Sequence, residues 1–166
     1  MTEKFTADPK VQQVAEAYAA DAVNFARERF QLTLDGSDAS MAHVETILGA
    51  LHERMPDAKP SADEVFTLAK MFGSYVGETF RRNHGATWGL VRLDDETFVG
   101  MKNHEVPGLF WPWGRAQKRL KNGAEDNMLH YYRWLVEKRH GGAAATPAAA
   151  AATTPKTSWW KRLWQR

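Results

Sequence analysis

Cysteine does not occur in these 166 residues. That excludes disulfides, thiolate metal ligands and cysteine nucleophiles. No stretch approaches the roughly 18 apolar residues of a membrane span. The opening MTEKFTADPKVQQ lacks the apolar core of a signal peptide, so the expected location is the cytoplasm. Neither GxGxxG nor GxxxxGK[ST] is present, which removes the usual nucleotide-fold signatures. GSYVG is not GxSxG, so there is no nucleophile elbow. HEVPG, at His104, lacks the second histidine of HExxH, and none of the six histidines pair at ligand spacing on a helix. No metal or cofactor is expected, and no motif names a reaction.

Acid is missing from residues 141–166, which hold Lys156, Lys161, Arg162 and Arg166. This stretch therefore carries +4, while the other 18 basic residues face all 20 acidic ones and leave −2 for the rest. The excess positive charge is local, so the main body is not an electrostatic match for nucleic acid.

What is present fits one ordinary domain, 43% apolar and 25% charged. Val11, Val14, Tyr18, Ala22, Phe25 and Ala26 recur at helical spacing and predict a helix from about Pro9 to Phe30. LDGSD interrupts it. Met41, Val44, Leu48, Leu51 and Met55 mark a second helix that Pro56 is expected to close. Ser61 and Glu64 have the spacing of a capping box, with Pro60 placed to staple against Val65. The third helix then puts Val65, Leu68, Phe72, Val76 and Phe80 on one face and ends near NHG. The period next shifts towards two: TWGLVRL and TFVGMK, separated by DDE, predict a hairpin, and GLFW a third short strand. Pro112 opens a fourth helix and Asn122–Gly123 closes it. A last helix is expected to begin acidic at Glu125 and Asp126 and to end basic at Lys138, Arg139 and His140. Helices, a small antiparallel sheet and more helices make an α+β domain over 1–140.

FGSYVGETFRRNHGATWG and WPWGRAQKRLKNGAEDNMLHYY together resemble the two signature blocks of a bacterial family of small α+β domains of unknown function. The matching positions are Gly73, Tyr75, Gly77, Glu78, Trp88, Pro112 and Trp113, within roughly 38–135. The resemblance implies the α+β fold and no activity.

Two clusters are candidates for contact with a partner. Glu78, Arg81, Arg82 and His84 gather at one helix end beside Trp88. They form either a charged recognition surface or a plain helix terminus, with Glu78 and Arg82 as an i,i+4 pair. Arg115, Lys118, Arg119 and Lys121 give the fourth helix a basic side after LFWPW. Basic residues among aromatics bind single-stranded nucleic acid in some proteins. A solvated basic face, with Trp111 and Trp113 sealing the core, is the simpler reading, and no nucleic-acid partner is expected. Gly73 and Gly77 make a GxxxG on a helix too charged for a membrane, so they point to close packing of another element.

Residues 141–157, GGAAATPAAAAATTPKT, are an Ala/Pro/Thr-rich stretch expected to act as a flexible linker. Residues 158–166 follow as SWWKRLWQR. A helix here would put Trp159, Trp160, Leu163 and Trp164 on one side, with Lys161, Arg162 and Arg166 on or beside the other. That is the composition of an interfacial peptide. Partial burial of three apolar side chains and the attraction of the cations give a gross gain of about 8 kcal/mol. Ordering some eight residues removes roughly 1 kcal/mol each. The segment reads as a reversible tether, to a partner protein or to the inner face of the membrane. The function expected from the sequence is therefore a non-enzymatic interaction domain with an attachment peptide. The alternative is a toxin-neutralising (immunity-type) or other inhibitory protein-binding domain. An enzyme using Glu78 with His84 or His104 stands third.

Overall fold

In chain order the elements are β1 (Glu3–Ala7), α1 (Pro9–Phe30), a 3₁₀ turn at Asp38–Ser40, α2 (Met41–Ala58), α3 (Ala62–His84), β2 (Ala86–Leu93), β3 (Glu96–Asn103), β4 (Leu109–Phe110), α4 (Pro112–Asn122), a 3₁₀ turn at Ala124–Asp126 and α5 (Met128–Lys138). The structure is a computed structural model and describes residues 3–138. The linker and the amphipathic segment expected over 141–166 lie outside the described residues. The fold is α+β, with one antiparallel sheet in the order β1-β2-β3-β4.

α3 organises the domain. Ser61 accepts the Glu64 amide at 3.2 Å, Asp63 and Glu64 occupy the first turn, and Arg81, Arg82 and His84 the last, as the helix dipole favours. Its apolar stripe is not one-sided, however. From Glu64 to Phe80 every residue but Thr67 is buried, because α1 and α4 both pack along it. α1 approaches through Ala15, Ala19, Ala22 and Ala26, all buried, whereas Val14, expected inside, is 45% exposed. Alanine carries little hydrophobic signal, yet a row of it lets two helices lie close together.

Pro56 does not end α2, which runs on to Ala58 and stops at Lys59 in the left-handed region, φ 47°. The proline sits in the last turn and is exposed, so the one lost backbone bond falls where water can serve the freed carbonyl. α5 begins at Met128 rather than at Glu125 and Asp126, which belong to the preceding 3₁₀ turn. Asp126 instead bonds Arg115 and Asn122.

The hairpin turns over Asp94 and Asp95, with Leu93 opposite Glu96 and Asp94 at φ 54°. Aspartate tolerates that conformation better than most side chains. β4 forms within GLFW as expected. β1 is a correction: the first eight residues carry no strand signal, yet 3–7 pair with β2 in the register Phe5 opposite Val91. A five-residue edge strand with one half-buried apolar side chain has almost no alternation to detect.

Trp88 faces α3, and Met101 opposite it does the same. On the other face of the sheet Phe5 lies over Gly89 and Trp111 over Gly100, which buries Val91. The sheet is thus covered on both faces near its centre.

Candidate functional site

The Gly73-x-Tyr75-x-Gly77-Glu78 stretch of α3 is a packing device first. A Cβ at Gly73 would meet the Pro112 carbonyl oxygen at 2.6 Å and the Trp113 Cα at 2.8 Å, so the first turn of α4 rests directly on this glycine. A Cβ at Gly77 would meet the Trp88 ring at 2.4 Å. Gly77 is the slot into which the indole slides, and the reading of GxxxG as close packing holds. Trp113 is fixed from the same helix by its indole N–H, which donates to Ser74 Oγ at 2.8 Å.

Trp88, once seated, donates its Nε1–H to Glu78 Oε2 at 3.3 Å. Glu78 is 3% exposed, and its main partner is Arg81, which donates from Nε to Oε2 and from Nη2 to Oε1. Arg81 also lies 3.6 Å from Glu16 on α1. The bond to Glu78 holds the Arg81 guanidinium above its ordinary pKa, against the opposing pull of burial. The i,i+4 partner expected from the sequence, Arg82, is 3.8 Å from Glu78 with its side chain 64% exposed. The buried pair is therefore i,i+3, and Arg82 projects outward.

The other side of the same helix end holds the segment between α1 and α2. Tyr75 accepts the Gly36 amide at 2.8 Å and shares a hydrogen bond with Ser40 Oγ at 2.7 Å. Asp38 receives Asn83 Nδ2 at 2.9 Å, the Tyr132 hydroxyl, and a hydrogen bond with His84 Nε2 at 2.7 Å. Burial pushes the Asp38 carboxyl up, but the bonds from Tyr132, Asn83 and His84 and the charge of His84 outweigh it and hold it below the ordinary value. Burial also pushes the Tyr132 hydroxyl far up, and the Asp38 carboxylate adds to this. LDGSD is thus a clamp as well as a helix breaker, tying α3 to α5 through one carboxylate.

Two clefts of about 280 Å³ flank this clamp. The first lies between α1 and α3, with Glu16, Asp35, Glu78 and Arg82 as its charged groups and Tyr75 and Thr79 on its floor. The second lies between the start of α2 and α5, and its wall is mainly apolar: Ala39, Ala42, Leu129, Tyr132 and Val136.

The nominated residues therefore separate. Glu78, Arg81, Arg82 and Trp88 come together, but Trp88 is 1% exposed and cannot meet a partner directly. His84 belongs to Asp38, and His104 bonds Thr87 through Nε2 at 2.6 Å. The basic side of α4 is split, with Arg115 and Arg119 drawn inward and Lys121 exposed. Arg115 donates to Asp126 at 3.1 Å and lies 4.4 Å over the Tyr131 ring. Arg119, 6% exposed, donates to Glu45 at 2.7 Å, and Lys118 is half-buried. A solvated basic face therefore describes Lys121 but not Arg115 or Arg119. Sequence reasoning missed Asp38 and Glu45 and named Tyr75 only as a position of the resemblance, without a role, because all three act across at least 35 positions of sequence.

Among the described residues no group of three or more histidines and carboxylates is placed to hold a metal ion, and no helix is long and apolar enough to cross a membrane. Comparison with protein-family models, with curated proteins and with solved structures gives no match.

Proposed function

We propose that the chain is a non-enzymatic interaction domain whose 158–166 segment attaches reversibly to an anionic membrane surface. The observation that carries this reading is the commitment of most charges in the two candidate clusters. Glu78, Arg81, His84, Arg115 and Arg119 are each bonded to a neighbouring side chain. That leaves Arg82 as the most outward of the nominated cations, while Trp159, Trp160, Leu163 and Trp164 come with Lys161, Arg162 and Arg166 in nine residues. Apolar side chains supply insertion and cations supply attraction, the two terms interfacial binding needs. A stretch of 17 Ala/Pro/Thr-rich residues, at about 3.1 Å each if extended, reaches about 50 Å and leaves the domain free to orient.

A second reading, occlusion of a protein partner in the immunity manner, draws on the first cleft. Its carboxylates Glu16 and Asp35 beside exposed Arg82 suit a partner that presents basic and acidic groups together.

The test is tryptophan emission of a peptide covering 156–166, titrated with vesicles. A blue shift with anionic vesicles, reduced by salt as the Debye length shortens to about 8 Å at physiological strength, is the expected result. Emission unchanged at low salt would remove the membrane reading and leave the protein partner.

A further inference from the structure

The first cleft has a rim fixed by the fold itself. Tyr75 and Asn83 hold Gly36, the one through its amide at 2.8 Å and the other through its carbonyl at 3.0 Å. The segment before α2 is thereby pinned to α3, and the site is formed in advance of any ligand. Asp35 and Arg82 are the chain neighbours of the bonded pair Gly36 and Asn83, and both line the cleft. They bring opposite charges to one rim, yet no ion pair joins them.

The polar groups of this cleft divide into those already engaged and those left open. Glu16 is engaged by Gln12 and Arg81, and Glu78 by Arg81 and Trp88. Asp35 is half open: the Ser37 hydroxyl and amide both donate to Oδ1, which holds the carboxyl below its ordinary pKa and leaves Oδ2 without a bond. Arg82 has its side chain 64% exposed and only a 3.8 Å approach to Glu78. Thr79 lies on the floor, 2% exposed, and its hydroxyl makes no hydrogen bond within the described residues. Ala19, Ala20, Val23 and Leu34 add an apolar wall beside these three.

We propose that this cleft binds a free aliphatic α-amino acid, with its carboxylate on the Arg82 guanidinium, its ammonium on Asp35 Oδ2 and its side chain along Ala19, Ala20 and Val23. A ligand of single charge would leave either Arg82 or Asp35 unanswered. A zwitterion answers both, and an α-amino acid carries its two charges close together, as this rim does. The guanidinium fork takes a carboxylate through two parallel N–H bonds, and the Thr79 hydroxyl is placed to donate from below. Size agrees, because a cleft of about 280 Å³ lies at the lower edge of the range for ligand pockets, about 300–1,000 Å³. The site is on the body of the domain and does not rest on the membrane reading. It gives the cleft to a small molecule, where the immunity reading gives it to the side chains of a partner protein.

Titration of the full chain with L-leucine, followed through amide chemical shifts, tests this. Saturable shifts should centre on Ala20, Gly36 and Thr79. Leucinamide lacks the carboxylate and isocaproate lacks the ammonium. Each should bind about 10- to 100-fold more weakly than leucine, the worth of one hydrogen bond to a charged group. Arg82→Gln and Asp35→Asn, both at exposed positions, should weaken leucine by a similar factor and leave the melting temperature unchanged. No saturable shift, shifts centred on another face, or an analogue that binds as well as leucine would overturn the proposal. So would leucine binding indifferent to both substitutions. Because no vesicle is present, failure here leaves the membrane reading intact, and failure of vesicle binding leaves this one intact.

Discussion

Gly73→Ala should destabilise the domain by about 1–2 kcal/mol net, despite replacing glycine by the best helix former. In an open helix the change gains about 1 kcal/mol. Here the added Cβ would stand 2.6 Å from the Pro112 carbonyl oxygen and 2.8 Å from both the Pro112 carbonyl carbon and the Trp113 Cα. All three are backbone atoms, so no rotamer change relieves the clash and the first turn of α4 must move. Overpacking of this kind costs about 1–3 kcal/mol and occasionally more, which exceeds the propensity gain. The displacement would also strain the Trp113–Ser74 bond and the contacts of Trp113 with Tyr18 and Phe66. At about 3 °C per kcal/mol for a domain of this size, thermal unfolding should shift down by about 3–6 °C. A variant as stable as the parent would mean that α4 does not rest on this glycine.

Glu45→Ala should cost more, about 3–5 kcal/mol. Glu45 accepts Arg119 Nε at 2.7 Å with one oxygen and the Met128 amide at 2.7 Å with the other. One carboxylate thus neutralises a buried guanidinium on α4 and caps the start of α5. Its removal leaves a charge that is 93% buried by side-chain area without a counter-ion, and an amide at a helix start without an acceptor. The double variant Glu45→Ala/Arg119→Met separates these effects. Removing both charges should recover most of the loss, because the expensive state is the unpaired cation and not the absence of the pair. A deficit of about 1 kcal/mol should remain from the lost cap. Urea unfolding of the two singles and the double measures the coupling directly. If Arg119→Met fails to rescue, the pair is not what Glu45 contributes.

These two positions also show where sequence reasoning stops. Local signals were legible: the Ser61 cap, the proline at the start of α4, Gly123 after it, and the hairpin break at DDE, of which Glu96 proves to belong to β3, all act within a few residues of themselves. Gly73 and Gly77 were legible as a close-packing face, though not what lay on it. Glu45 was not legible, because its partners are 74 and 83 residues away and nothing in its neighbourhood distinguishes it from a solvated helix residue. The same limit governs the candidate site. Arg81 and Arg82 are adjacent and identical in type, and only the rotation of α3 against α1 and β2 decides that Arg81 serves Glu78 while Arg82 faces outward. Arg115 and Arg119 read as a basic face because charge predicts exposure, whereas Asp126 and Glu45 draw them in. β1 was lost for the opposite reason. It gains its place from the partner strand and from the Phe5 contact over Gly89, and little from its own pattern.

The central claim is that the body's clustered charges at Glu78, Arg81, His84, Arg115 and Arg119 are bonded within the fold and that attachment falls to the tryptophans of 158–166. Sedimentation of the full chain with anionic vesicles, wild type beside Trp159→Ala/Trp160→Ala/Trp164→Ala, tests it most directly. The wild-type chain should move to the vesicle fraction at low salt and the triple variant should stay in solution with an unchanged melting temperature, since about four cations alone supply only about 4 kcal/mol gross. Equal binding of both chains, or binding of neither, would contradict it.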